Sequence, residues 1–215
     1  MRYQRKPAFI TCLCAVSCFL IITPPLFSQP DQTQMLDISL FSSQDKVHPG
    51  SLLKIAMAIE IESGWHINSS VPMNDFLIPS SVSVPKESPV RLEKTIFPEP
   101  VEIVPQFSQE FMSVYMGEIW IGIVAAVPED METGPLTIKL HFRYQGCDDQ
   151  ACYAPNMKAA CLTIPVVDRS TPVYEIHPEI FSRIDFGKKV KSEKSKVKSY
   201  LIYLKSQISN LKSEI

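Results

Sequence analysis

The chain has 215 residues, of which 45% are hydrophobic, 20% charged and 9% aromatic. This composition argues against a largely disordered chain and against a protein that crosses a membrane many times. Charge is unevenly placed, because residues 29–182 carry nine basic and 20 acidic residues whereas residues 183–215 carry nine basic and three acidic ones. An acidic body argues against a nucleic-acid partner. Eighteen prolines against seven glycines favour short strands and turns over long helices.

The N-terminal segment has the features of an export signal. Three basic residues precede an apolar run from Phe9 to Ile22, and a Thr-Pro-Pro sequence ends that run. About 14 apolar residues are too few for a membrane helix, which needs about 20. We predict a signal peptide over residues 1–28 and a mature protein outside the cytoplasm. Lipoprotein anchoring at Cys18 is the weaker alternative, because the apolar run continues beyond it.

The body of the chain carries the pattern of β-strands. Residues 51–62 and 136–144 alternate apolar and polar side chains with a period of two, which is typical of half-buried strands. Turn sequences separate weaker candidates at 36–41, 81–84, 90–97, 101–104, 118–127 and 161–167. About eight short strands without a helical period predict an all-β protein, an antiparallel β-sandwich. We place this domain at residues 29–168, followed by a linker at 169–186.

Residues 187–215 have a different pattern. A heptad pattern of apolar residues, with spacings of 7, 4, 3, 4, 3 and 4, runs through Val190, Val197, Leu201, Leu204, Ile208, Leu211 and Ile215, and lysine and serine occupy most of the other positions. This spacing predicts a basic amphipathic helix. Three roles stay open for it: a helix packed on the sandwich or exposed to solvent, a short coiled coil that makes a homo-oligomer through residues 190–215, and a helix on an anionic membrane surface.

Three cysteines remain after the predicted signal, at Cys147, Cys152 and Cys161. In an oxidising compartment the close pair Cys147 and Cys152 is expected to form a disulfide at the tip of a hairpin. Spacing alone is compatible with a structural staple. A loop this short restricts the unfolded chain little, however, which favours a pair that opens and closes. Cys161, at the predicted start of a strand, is expected to be a buried small hydrophobe.

No other chemistry-bearing pattern is as specific. The four histidines lack metal-ligand spacing, so we predict no metal site and no cofactor. A cuprous site that adds Met157 to the cysteine pair is chemically reasonable, but the spacing does not require it. We expect His66 to be a hydrogen-bonded residue at a strand end rather than a base. The adjacent Asp148 and Asp149 disfavour thiolates, which predicts a relay or reductant rather than a donor of disulfides.

Three segments resemble one protein family. The run Tyr144-Gln145-Gly146-Cys147 … Cys152-Tyr153-x-Pro155 resembles the active-site hairpin in the N-terminal periplasmic domain of the DsbD family of thiol:disulfide interchange proteins. Two further segments are similar to other parts of that domain: Gly64-Trp65-His66-Ile67-Asn68 with Leu77-Ile78-Pro79, and Tyr115-Met116-Gly117-Glu118. The matches occur in consistent order over residues 36–168.

The resemblance implies that the mature protein is in the periplasm. It also implies an immunoglobulin-like sandwich whose cysteine pair takes electrons from a membrane-embedded donor and passes them to periplasmic thioredoxin-fold proteins. By motif, Cys152 forms the mixed disulfide with the client protein and Cys147 resolves it. Phe111 to Tyr115 would form a loop that caps the pair. The residues implied to support the hairpin are Tyr144, Gly146, Tyr153 and Pro155.

The chain departs from the family pattern in two respects. Four residues separate the cysteines, where some members have five, and neither the transmembrane nor the thioredoxin-like domain of the full family protein follows. A stand-alone module would need a membrane donor that acts in trans. The alternative is a non-catalytic extracytoplasmic binding or scaffold domain with a structural disulfide, oligomerised by its C-terminal helix.

Overall fold

The computed structural model describes residues 35–187, which form an all-β domain. The predicted signal peptide and the heptad pattern lie outside the described residues. In the part of the chain that is described, no helix has the length and apolar character needed to cross a membrane. The elements are β1 (Leu36–Ser42), β2 (Leu52–Ile61), β3 (His66–Asn68), β4 (Ser81–Ser83), β5 (Arg91–Ile96), β6 (Val101–Ile103), β7 (Met112–Tyr115), β8 (Glu118–Ala126), β9 (Gly134–Tyr144), β10 (Gly146–Cys147), β11 (Asn156–Val166) and the helical turn α1 (Pro178–Phe181).

The first sheet has the order β1-β2-β8-β5, and all its pairings are antiparallel. Its centre is β2, where Ile55 lies opposite Ile123 of β8. A Cβ added at Gly122 of β8 would come within 2.5 Å of a methyl carbon of Ile184. The absence of a side chain at Gly122 therefore lets the segment after α1 pack on the sheet, within the region predicted to be a linker.

Two further sheets complete the sandwich, with the orders β11-β9-β4 and β10-β3-β7-β6. Along β9, buried residues alternate with more exposed ones as the sequence predicts. Inward side chains from all three sheets form one hydrophobic core. The prediction of an antiparallel, immunoglobulin-like sandwich is confirmed. Because β9 leads through one residue into β10, the chain passes directly from one sheet to the next at the cysteine hairpin.

Three strands were missed by the sequence analysis, namely β3, β7 and β10. They have only two to four residues each, and all of these residues are buried, so they show no alternation. Strand β11 also begins five residues before the predicted position. In its register Cys161 lies opposite Lys139, on the solvent side of the sheet. The expectation that Cys161 is buried was wrong, because its side chain is exposed.

Glycines make the sharp turns next to β3 and β7. Gly64 lies just before β3 with φ +87°, and Gly117 lies between β7 and β8 with φ +62°. Both angles fall in the left-handed region, which other residues adopt only at a cost. Both glycines belong to segments that carry the family resemblance. The presence of glycine in these segments therefore follows from the backbone geometry.

Candidate functional site

A disulfide joins Cys147 and Cys152 at the end of the hairpin, as the sequence predicts. The two residues lie opposite each other in an antiparallel bridge, and their Cα atoms are 4.0 Å apart. Backbone hydrogen bonds close the turn on either side of the disulfide. The Asp148 N–H donates to the Ala151 carbonyl at 3.0 Å, and the Tyr153 N–H donates to the Gly146 carbonyl at 2.9 Å. Backbone hydrogen bonds therefore stabilise the hairpin in addition to the disulfide.

The carboxylate of Asp148 organises the turn. Its Oδ1 accepts backbone hydrogen bonds from Gln150 at 2.8 Å and Ala151 at 3.0 Å, and its Oδ2 accepts one from the Tyr153 hydroxyl at 2.6 Å. Burial raises the pKa of Asp148, but these hydrogen bonds outweigh burial and hold the pKa below its ordinary value. A fixed negative charge thus lies directly beside Cys147.

The two cysteines differ in exposure. Cys147 is fully buried, whereas Cys152 is partly exposed. Together with Met112 and Val114 of β7, Cys147 forms a small apolar cluster separate from the main core, and partly buried Leu77, Ile103 and Cys152 pack against it. Of the two cysteines, Cys152 is therefore the one that reaches the protein surface.

Gln145 connects the hairpin to its surroundings, a role that the sequence analysis missed. Its Oε1 accepts hydrogen bonds from the Asn68 side chain and from the Ile78 backbone, each at 2.9 Å. Its Nε2 donates to the Tyr153 carbonyl at 2.9 Å. One side chain thus links β3, the loop after it and the segment that follows Cys152. The sequence indicates this role of Gln145 only through its position in the run Tyr144-Gln145-Gly146-Cys147.

The residues predicted to support the hairpin occupy different environments. Tyr144 is buried in the main core, and Tyr153 packs on the ring of Trp65 with centroids 5.5 Å apart. A Cβ at Gly146 would come within 2.4 Å of the Met35 sulfur, so the glycine permits close packing there. Pro155 is exposed.

The segment predicted to cap the pair is a strand over most of its length. From Met112 to Tyr115 it forms β7, and Tyr115 is 2% exposed with its hydroxyl 3.1 Å from that of Ser70. The prediction of a loop there was therefore wrong from residue 112 onward. Phe111 lies outside the strand and is 51% exposed. The side chains that cover Cys147 from this segment are those of Met112 and Val114.

His66 lies directly opposite Cys147 in the pairing of β3 with β10. It is 4% exposed, and its Nε2 is buried without a hydrogen-bond partner in the described structure. The expectation of a hydrogen-bonded histidine is therefore wrong for this nitrogen. Burial lowers the pKa of His66, and the charges of Asp149 and Asp148 oppose that shift only in part. Among the described residues, no group of three or more His, Cys, Asp or Glu side chains is arranged to hold a metal.

Comparison with protein-family models identifies one family. The family model described as "Thiol:disulfide interchange protein DsbD, N-terminal" matches residues 39–163. No curated protein gives a match. Among solved structures, the reduced DsbD N-terminal domain of Neisseria meningitidis is 15% identical, with 73% of this chain and 96% of that chain covered and a TM-score of 0.39.

Two other solved structures show similarity of the same order. The N-terminal periplasmic domain of ScsB from Proteus mirabilis is 11% identical, with 64% of this chain covered and a TM-score of 0.42. The match spans 48% of that ScsB domain. A complex between the DsbD and PilB N-terminal domains from Neisseria meningitidis gives 16% identity, 66% and 87% coverage of the two chains, and a TM-score of 0.38.

Proposed function

The chain belongs to the family of DsbD N-terminal domains, and from this premise we propose that it relays reducing equivalents through Cys147 and Cys152 as a thiol:disulfide exchange protein. The proposed electron donor is a membrane-embedded thiol protein that acts in trans, and the proposed clients are periplasmic thioredoxin-fold proteins. Residues 1–28 serve as the signal that exports the protein in this proposal. The family match includes the disulfide, which supports thiol exchange as the chemistry.

The observation that carries the proposal is the unequal exposure of the two cysteines. Cys152 is partly exposed and Cys147 is fully buried. In an exchange reaction one sulfur must meet the partner's sulfur, and the other must stay close enough to attack the mixed disulfide. Cys152 therefore bonds to the client, and Cys147 resolves the complex.

Exposed apolar side chains on two neighbouring loops support a protein as the client. Phe76 is 90% exposed and Phe111 is 51% exposed. The loops that carry them are joined by a hydrogen bond of 3.1 Å from the Asn74 side chain to Glu110. Leu77, next to Phe76, packs against the disulfide cluster. Exposed aromatic residues beside a reactive group suit a protein interface better than a small thiol.

The charge around the pair favours the role of a reductant. Hydrogen bonds keep Asp148 ionised one residue from Cys147. A strong thiol oxidant needs its reduced form stabilised, and a nearby anion disfavours the thiolate. We expect a reduction potential well below that of strong oxidants, and a value above about −150 mV would contradict this role.

The first experiment is thiol trapping of folded protein across a graded dithiol buffer. The variant for it keeps only the pair, through the substitutions Cys12→Ala, Cys14→Ala, Cys18→Ala and Cys161→Ala; we call it the two-cysteine variant. Two thiols that appear together at a defined potential while the protein is folded support the proposal. If thiols appear only on unfolding, the disulfide is structural and the binding or scaffold function replaces exchange.

A second experiment tests the roles of the two cysteines. In the two-cysteine variant, Cys152→Ala should abolish mixed disulfides with an oxidised thioredoxin-fold protein. The matched Cys147→Ala should instead trap them, because the resolving thiol is missing. Complexes that form with Cys152→Ala but not with Cys147→Ala would reverse the assignment.

A further inference from the structure

The burial of Cys147 creates a requirement that the cysteine pair cannot meet by itself. To resolve a mixed disulfide, Cys147 must lose its proton, because the thiolate is the attacking species. Its side chain is fully buried in the cluster with Met112 and Val114. Bulk water has no direct route to this thiol, so a neighbouring group has to accept the proton.

His66 has the position for this transfer. It is the cross-strand partner of Cys147, and directly paired residues on antiparallel strands point to the same face with Cβ atoms about 4.5–5.5 Å apart. The side chains of Met112 and Val114 on β7 that bound this face are apolar. The charged groups that act on the ring, Asp148 and Asp149, are both in the hairpin.

The hydrogen bonding of the ring shows what is missing in the oxidised state. Nε2 of His66 is buried and has no partner in the described structure. A buried polar atom left unpaired is costly, so its retention calls for an explanation. Reduction of the disulfide would create a thiol donor on Cys147, the residue across from the ring. Burial lowers the pKa of His66, so the ring is neutral near pH 7, and the carboxylates of Asp149 and Asp148 favour the imidazolium that forms when the ring takes up a proton.

We propose that His66 is the proton acceptor that activates Cys147 when the mixed disulfide is resolved. The inference rests on the proposed exchange function and adds a third residue to it. The Cys147 proton moves to Nε2, and the thiolate electron pair forms the bond to the Cys152 sulfur. The bond between Cys152 and the client sulfur breaks, and its electron pair leaves on the client as a thiolate. The client gains two electrons, the cysteine pair loses two, and the released proton stays on His66.

The test separates the two chemical steps in time. Reduced two-cysteine variant is mixed with dithiobis(nitrobenzoate), an aromatic disulfide that releases a coloured thiolate at each step. Attack by Cys152 gives the first release, and attack by Cys147 on the mixed disulfide gives the second. We expect His66→Gln to slow the second release about 100-fold at pH 7, the size of a general-base contribution, and to leave the first within about twofold.

The pH profile distinguishes proton transfer from packing. With His66 present, the second rate should level off once the ring is neutral, whereas in His66→Gln it should keep rising with hydroxide concentration. The control is His48→Gln, the same substitution at a histidine that hydrogen-bonds to Thr171 at 2.9 Å outside the site. It should change neither phase.

Each other result overturns the inference. If His66→Gln leaves the second phase unchanged, or slows both phases equally, His66 has only a structural role. If the unsubstituted pair cannot be reduced in folded protein, the proposed function fails and the inference fails with it. If His66→Gln does not fold, a measurement on the protein with His66 in place still tests the inference. Nitrogen-15 NMR of the His66 ring should show a new hydrogen bond at Nε2 on reduction, and identical ring signals in both redox states would contradict it.

Discussion

The hydroxyl of Tyr153 donates a hydrogen bond of 2.6 Å to Oδ2 of Asp148, across the turn that separates the two cysteines. Asp148 follows Cys147 and Tyr153 follows Cys152, so this bond connects the two arms of the hairpin independently of the disulfide. The same carboxylate also accepts two backbone hydrogen bonds within the turn. The carboxylate of Asp148 therefore constrains the hairpin through contacts that do not involve the disulfide.

The Tyr153→Phe substitution should raise the pKa of Asp148 toward its ordinary value of 3.8. Burial favours the protonated carboxyl, and the Tyr153 hydroxyl is the largest of the contributions that oppose it. The pKa of Asp148 is lower in the folded than in the unfolded protein, so its ionised carboxylate stabilises the folded domain. This contribution is complete above the unfolded-state pKa and is lost as pH falls through the folded-state pKa.

Carbon-13 NMR of the Asp148 carboxyl measures this shift directly. The control is Tyr174→Phe, at a tyrosine that is 62% exposed and that packs under the ammonium group of Lys46. Asp148 should titrate in the control as it does in the unsubstituted protein. The assigned hydrogen bond is refuted if Tyr153→Phe also leaves the titration unchanged.

Gln145→Leu should destabilise the domain and make its disulfide easier to reduce. The substitution removes the acceptor of the Ile78 N–H and the donor to the Tyr153 carbonyl, while the chain around both groups stays partly buried. An unsatisfied buried group costs about 1–3 kcal/mol, and we expect a loss of that size in the free energy of unfolding.

Urea unfolding of the oxidised protein and the rate of reduction by dithiothreitol test the role of Gln145. Gln150→Leu is the matched control, since Gln150 lies in the same hairpin but is exposed, and only its backbone N–H bonds to Asp148. Equal effects of the two substitutions would show that Gln145 does not link the hairpin to β3.

The sequence was sufficient to predict the long strands and the disulfide, since both are local patterns. Strands β2 and β9 run for 10 and 11 residues, long enough for alternation to be visible. Strands β3 and β7 are short and buried on both faces, so their burial follows from tertiary packing. Propensity and periodicity contain no information about such segments.

The residues that surround the disulfide were harder to predict than the disulfide itself. The pairing of His66 with Cys147 depends on the chain passing from β9 into β10, which places two distant segments side by side. Nothing local to His66 shows that register. The exposure of Cys161, by contrast, could have been predicted from the sequence. Leu162, Ile164 and Val166 alternate with Cys161, so the cysteine falls on the polar side of β11.

Cys161 should react with a thiol reagent in the native, oxidised protein without any reductant. It is exposed on the solvent side of β11, opposite Lys139. Cys161→Ser should change the free energy of unfolding by less than about 0.5 kcal/mol, as exposed positions usually do. Ile164→Ala on the same strand, at a residue that is 2% exposed, should cost about 2–5 kcal/mol.

Peptide mapping after alkylation and urea unfolding of the two variants test this placement on β11. Protection of Cys161 from alkylation in the folded protein would mean that the register of β11 is shifted by one residue, because such a shift reverses which side chains face the core.

Leu77→Ala should speed reduction of the disulfide by a small thiol about tenfold. Leu77 packs against the cluster that contains the disulfide, so it limits access to the sulfur atoms. The substitution removes three carbons from a half-buried side chain, which at about 0.8 kcal/mol per fully buried methylene is about 1.2 kcal/mol of packing, and a free energy of that size corresponds to slightly less than tenfold in rate.

The neighbouring Phe76→Ala is the matched control for this experiment. Phe76 is 90% exposed, so its removal should not change reduction by a small thiol. In reactions with a protein client, Phe76→Ala should have the larger effect of the two substitutions. Phe76 would then lie in the interface, and its loss would slow formation of the mixed disulfide. Measuring both variants with dithiothreitol and with a thioredoxin-fold protein separates shielding of the disulfide from docking of the client. If Phe76→Ala leaves the rate with the protein client unchanged, the client docks on another surface.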